Sequence, residues 1–252
     1  MSRRLLALAL PLAALLGPGP RALGDEAEDL RNDAWRAAGT SAGALVLEAL
    51  VARVKTPECR ICSAGKIDES VRDALRWSDT AAAQRTSDVL ANLAIPALAL
   101  GDAYRSTSSW GNFGRDVLVV TEAASLTTLS TTIAKAGFAR RRPGVPPGST
   151  SSSDNHSLWS GHSSFAFSVV VAQAMQDTLR GDDGAPWAWA IGLTLAGTVG
   201  YLRIAGQAHW LTDVLAGAAV GSGFGVAVPL LEKRLVHGVT LSAAPGGIAL
   251  HF

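Results

Sequence analysis

The chain has 252 residues, 48% of them hydrophobic, which is enough for one substantial domain and does not require a second. Its 22 basic and 21 acidic residues leave a formal charge of +1, so no global field argues for nucleic acid or a strongly anionic partner. Few aromatics and many Ala, Leu, Val and Gly suit close-packed helices better than a sheet.

Residues 1–24 have the three parts of a secretory signal. Arg3 and Arg4 precede an apolar run from Leu5 to Leu16, and Ala22-Leu23-Gly24 offers small residues at a cleavage site before Asp25. An exported chain follows from this. Residues 25–85 form an N-terminal helical region, with an amphipathic helix expected at 36–54 and a charged one at 67–77. Between them lie Cys59 and Cys62, which in an exported chain most simply form a local disulfide. The loop it closes is tiny, so its stabilising power is small.

Apolar helices are expected at 88–101, 117–134, 163–176, 187–202 and 209–232, within a core region 86–235. The class is all-α, a bundle of about five to six core helices. The Pro, Gly and Ser-rich stretch 144–157 reads as a long surface loop of the kind that carries or covers a site. In the tail 236–252, alternating apolar residues flank Pro245-Gly246-Gly247, a pattern that allows a short β-hairpin.

Most apolar runs fall short of the roughly 20 residues that a membrane span needs. Residues 117–134 carry Glu122 and seven Ser or Thr, and 163–176 carry Gln173. The segment 135–163 sums to +3 and the loop 177–186 to −2, so a spanning chain with an outer site would run against the positive-inside tendency. The expectation is a periplasmic domain, soluble or membrane-associated, with its site outside the cytoplasm; an integral membrane protein is the alternative. Gly217, Gly221 and Gly225 are spaced one turn apart and permit close helix packing in either solvent.

Three clusters carry chemistry. In the first, Lys135 is followed after six residues by Arg142-Pro143, within a basic run Arg140, Arg141 and Arg142 whose plain meaning is favourable charge at a helix C-terminus. The second is Ser160-Gly161-His162 at a helix start, where free N–H groups and the helix dipole favour an anion. The third is Arg203, then His209, then Asp213. Placed at i and i+4 on one helix face, the Asp213 carboxylate can reach one imidazole nitrogen of His209 and leave the other outward. Three cations with oriented N–H groups suit a phosphoryl group in transfer, and a neutral imidazole is a good nucleophile near pH 7. The sequence has no rich Asp or His cluster with metal-ligand spacing, so neither metal nor cofactor is expected.

Together the clusters resemble the signature of the type 2 phosphatidic acid phosphatase and vanadium haloperoxidase superfamily: K-x-x-x-x-x-x-R-P, then P-S-G-H, then S-R-x-x-x-x-x-H-x-x-x-D. The resemblance covers about residues 88–232 and departs at Trp159, where Pro is usual, and at Leu202, where Ser is usual. It implies that Lys135, Arg142 and Arg203, with Ser160 and the Gly161 amide, hold phosphoryl oxygens. It also implies that His209 attacks phosphorus, Asp213 orients it and His162 protonates the leaving group. The implied protein is a metal-independent phosphatase acting on phosphate monoesters or pyrophosphates of a lipid, isoprenoid or small molecule through a phosphohistidine. The alternatives are a vanadium-dependent haloperoxidase, or a non-catalytic phosphate- or lipid-binding homologue, the latter motivated by Trp159 and Leu202.

Overall fold

The computed structural model describes residues 26–53, 59–146, 149, 151, 153–237, 240–244 and 247–251. The expected signal 1–24 lies outside them. Seven helices form an all-α bundle among these residues, more than the five to six expected. They are α1 (Glu26–Arg53), α2 (Lys66–Leu75), α3, α4 (Trp110–Phe138), α5 (Gly161–Arg180), α6 (Ala185–Ala205) and α7 (Leu211–His237). Helix α3 is continuous through Thr80–Val89, a π-turn at Leu90–Ala94, and Ile95–Ser106. Beyond α7, strands Thr240–Ala244 and Gly247–His251 pair antiparallel, with Thr240 opposite His251.

Helices α1, α3 and α4 begin well ahead of their apolar patterns, α4 at Trp110 because Ser109 caps it by accepting from the Asn112 N–H at 3.2 Å. Helix α1 starts at Glu26, ahead of the expected 36, because its polar first turns are neutralised by ion pairs. Arg36 pairs with Asp33 and with Glu232 of α7, and Arg115 of α4 approaches Asp33 at 3.3 Å. Helix α3 starts at Thr80 because Asp79 accepts from the N–H of Ala82 at 2.8 Å, capping an Ala-rich turn with high helix propensity.

The core runs along the middle of the bundle, where Ala91, Ile95 and Ala99 of α3 meet Ala124 of α4, Val169 to Val171 of α5 and Val199 of α6. Helices α5 and α7 approach most closely. A Cβ on Gly221 would lie 2.1 Å from the Ser164 carbonyl oxygen, and one on Gly217 would lie 2.7 Å from that of Ser160.

Helices α4, α6 and α7 are long and apolar enough to cross a membrane. Apart from Ser125, whose hydroxyl meets that of Ser41 of α1, the Ser and Thr residues that shorten the apolar run of α4 in the sequence turn their hydroxyls back onto their own helix. Thr121, Thr127, Thr128, Thr131 and Thr132 each donate to the carbonyl four residues earlier, so they carry little polarity to the surface. Large aromatics, Trp35, Tyr104, Trp110 and Trp187, lie exposed near one end of the bundle. Near the other end Trp77 donates its indole N–H to Tyr201 at 2.9 Å, and Phe138 is exposed. Two aromatic levels flanking apolar helices are the pattern of a membrane-embedded bundle. These features point to an integral-membrane location and correct the soluble or peripheral domain expected from run length.

The α5–α7 contact is backbone-limited, so Gly221→Ala should destabilise the protein by about 1–3 kcal/mol. Thermal melting in detergent reads this, and an unchanged midpoint would show that the helices have room to part.

Candidate active site

The three sequence clusters converge at one end of the bundle. Lys135 sits in the last turn of α4, Ser160-Gly161-His162 opens α5, and Arg203 closes α6 just before the loop that carries His209. The α5 terminus is built by its cap. The buried Ser160 hydroxyl accepts from the Ser163 N–H at 3.3 Å and from the Ser163 hydroxyl at 2.9 Å. Both bonds are accepted by its lone pairs, and beside the remaining O–H the helix offers an anion the N–H groups of Gly161 and His162, which the cap leaves over. A Cβ at Gly161 would lie 3.1 Å from Lys135 Nζ, close enough to push that ammonium aside by a few tenths of an ångström.

His209 does not open α7 as the i, i+4 spacing suggested. The helix begins at Leu211, because Asp213 folds back to accept from the Trp210 N–H at 2.9 Å and so caps the turn. His209 is consequently in the preceding loop, fully buried, with Nδ1 2.8 Å from the Ser157 carbonyl oxygen and 3.9 Å from Asp213 Oδ2. A carbonyl can only accept, so Nδ1 carries the proton and Nε2 keeps its lone pair. Burial pushes the imidazole pKa down to about 3 against the raising effect of Asp213, and the charges of Arg142, Arg203 and Lys135 push the same way. The ring is neutral at pH 7.

Arg142 and Arg203 are oriented by neighbours outside the motifs. Arg142 donates its backbone N–H to the Asp154 carbonyl at 2.9 Å and reaches the His156 carbonyl at 3.4 Å. The buried Arg203 donates to Ser87 Oγ and Asp88 Oδ1, both at 2.9 Å. The Nε of each guanidinium is buried without an acceptor. His156, in the 144–157 loop, is held neutral by burial and then by Lys135 and Arg142.

The two departures from the motif are both accommodated. The Trp159 indole donates to Thr131 Oγ1 of α4 at 2.7 Å. Leu202 is buried against Ala83 of α3 and Ala205, so its side chain packs in the helix interface.

The sequence reading assigned Arg140 only a helix-end role. The structure buries it between two carboxylates, at 2.6 Å from Asp68 Oδ2 and 2.5 Å from Asp213 Oδ1. Asp68 belongs to α2 and also accepts from the N–H and hydroxyl of Thr212, at 2.9 and 2.8 Å. Asp213 Oδ2 is filled by the Ser157 hydroxyl at 2.5 Å and the Trp210 N–H. Trp210 donates to the Arg141 carbonyl at 2.8 Å, and its ring centroid lies 5.4 Å from the Arg72 guanidinium and 5.9 Å from that of Arg140. The segment Ala139–Arg141 is further paired with Arg60 and Ile61, inside the turn closed by the Cys59–Cys62 disulfide. No local pattern marks Asp68, because its partner Thr212 is 144 residues away.

Removing Arg140 leaves two buried carboxylates without their shared cation. Arg140→Gln should cost about 3–5 kcal/mol of stability, and Asp68→Asn added to it should recover part of the loss. Melting of the single and double variants checks this, and additive losses would show that the residues act apart.

Residues 116–236 match the PAP2 superfamily. The chain is 28% identical over 162 residues, 62% of its length, to the lipid A 1-phosphatase of Porphyromonas gingivalis, and that match spans 32% of the relative's length. In fold it is similar to the transmembrane PAP2-type phosphatidylglycerolphosphate phosphatase of Bacillus subtilis. The TM-score is 0.53 with 19% identity, covering 80% of this chain and 98% of that one. Over residues 116–236, the stretch that carries all three clusters, the chain thus shows homology to the PAP2 superfamily.

Proposed function

We propose that the protein is an integral-membrane, metal-independent phosphatase that removes phosphate from a lipid or small-molecule monoester or diphosphate through a phosphohistidine on His209. The observation that carries this reading is the buried neutral imidazole held by the Ser157 carbonyl beside three cations, two of which keep a buried N–H without an acceptor. A phosphoryl group supplies the missing acceptors. Lys135, Arg142 and Arg203, with the α5 terminus at Gly161, neutralise its three oxygens as charge spreads over them in transfer. His209 Nε2 attacks phosphorus, the P–O bond to the leaving oxygen breaks, and His162 gives that oxygen its proton. Water then attacks the phosphohistidine and gives a proton back to His162, the P–N bond breaks, and inorganic phosphate leaves with Nε2 free. Ser160 contributes through the cap that shapes the terminus, and Asp213 stabilises the charge that develops on the imidazole.

The Cys59–Cys62 disulfide lies at the site's end of the bundle, which favours a site facing an oxidising compartment outside the cytoplasm. Of the basic run, Arg140 is consumed by Asp68 and Asp213, so it is a poor guide to orientation. Carbonate washing should leave the protein in the membrane fraction; release into the supernatant would overturn the integral reading.

His209→Ala should abolish turnover and the acid-labile phosphoenzyme on every substrate. His162→Ala should lose about 10²–10⁴ on an alkyl phosphate, whose alkoxide needs a proton, and much less on a nitrophenyl phosphate. Equal losses in single-turnover phosphorylation would make His162 a phosphate ligand and not the acid.

A second reading, a phosphate- or lipid-binding homologue without turnover, is favoured by one observation: Asp88 pairs with both Arg203 and His162. Phosphate or vanadate binding without hydrolysis of any phosphate ester would establish it.

A further inference from the structure

The carboxylate of Asp88 belongs to none of the three motifs and yet touches two of them. It projects from α3 two residues before the π-turn at Leu90–Ala94, and its side chain is half exposed. A single atom, Oδ1, lies 2.9 Å from Arg203 Nη1 and 2.9 Å from His162 Nε2. Arg203 is also anchored on Ser87 of the same helix turn. Under the proposed function, an oxygen between a phosphate-holding guanidinium and the acid that protonates the leaving group belongs to the substrate. Asp88 Oδ1 occupies that seat.

Two consequences follow from charge and position. A bound phosphoryl group and the Asp88 carboxylate cannot share Arg203 and His162 without like-charge repulsion, so the carboxylate must turn away as substrate enters. Its exposed side chain and its place on a helix rim allow this rotation. Having turned, it remains beside His162, on the side from which the leaving group departs.

We infer that Asp88 determines leaving-group specificity: its charge selects phosphate monoesters, whose leaving group is a neutral hydroxyl, and disfavours diphosphates, whose leaving group is itself a phosphate anion. This rests on the proposed hydrolase reading and narrows its substrate class. It makes Asp88 a competitor for the anion seat rather than a group that the chemistry needs. Two unit charges several ångströms apart at a partly solvated site interact strongly enough to change a ratio of rates or affinities roughly tenfold.

The test uses the full-length protein in detergent and two isosteric or charge-preserving variants, Asp88→Asn and Asp88→Glu. With an alkyl monophosphate and the diphosphate of the same alcohol, Asp88→Asn should raise the diphosphate-to-monophosphate ratio of kcat/KM roughly tenfold. Asp88→Glu should keep the wild-type preference, because the charge is retained. Inorganic phosphate should bind Asp88→Asn roughly tenfold more tightly than wild type in a thermal-shift titration. That arm needs no turnover, so it tests the competition of Asp88 for the anion seat separately from the hydrolase reading. An Asp88→Asn protein with an unchanged ratio would overturn the inference, whatever its phosphate affinity. So would a folded Asp88→Asn protein that no longer forms the phosphoenzyme, since Asp88 would then serve the reaction rather than compete with its substrate.

Discussion

The site is organised around one buried cation. Arg140 is almost fully covered and pairs at once with Asp68 from α2 and Asp213 from α7. A buried charge is tolerable only when its partners are close and their remaining hydrogen-bonding positions are filled. Here they are filled from several elements: Thr212 serves Asp68, while Ser157 and Trp210 serve Asp213. The Asp213 carboxylate is thereby fixed in rotation, and Ser157 is fixed with it. The Ser157 carbonyl holds the His209 imidazole, so the orientation of the ring depends, through two hydrogen bonds, on a guanidinium outside the motif positions.

Around that fixed frame the pocket carries an excess of positive charge. Burial, helped by the charges of Arg142, Arg203 and Lys135, holds His209 neutral, which is the protonation state a nucleophile needs. The same cations would be costly to desolvate with nothing between them. Asp88 supplies a counter-charge to Arg203, and the buried Nε atoms of Arg142 and Arg203 still lack acceptors. The balance is that of a site made for an anion larger than one carboxylate.

How much of this was legible in the sequence depends on how far apart the interacting residues lie. The helical class and the loop at 144–157 can be read from local patterns, whereas the convergence of Lys135, Ser160, His162, Arg203 and His209 follows from the resemblance of the three clusters together to a family signature. Helix starts were less legible: the polar first turns of α1 are stabilised by Glu232 and Asp33, and the first turn of α3 by Asp79. The spacing of His209 and Asp213 suggested a shared helix face, but capping by Asp213 moved the helix start past His209. Asp68, Arg140 and Asp88 were not legible, because each acquires its role from partners on other helices. Run length misled on the membrane question, since threonines that count as polar in a sequence are satisfied within α4.

Membrane embedding and the geometry of the site are linked through the α5–α7 contact. Lipid gives helices no hydrophobic reason to associate, so small residues and close backbone packing must do it. On α7 the glycines at 217 and 221 let its backbone lie against Ser160 and Ser164. That approach brings the two helix N-termini together, and the Ser160 N–H donates to the Asp213 carbonyl at 3.0 Å. The anion seat at Gly161 and the loop bearing His209 are therefore set side by side by backbone contact alone. A side chain at Gly217 would strike the Ser160 carbonyl at 2.7 Å, separating the helix terminus that binds the phosphoryl group from the imidazole that attacks it. The residues that allow the bundle to pack in lipid are thus the ones that hold the two halves of the site in register.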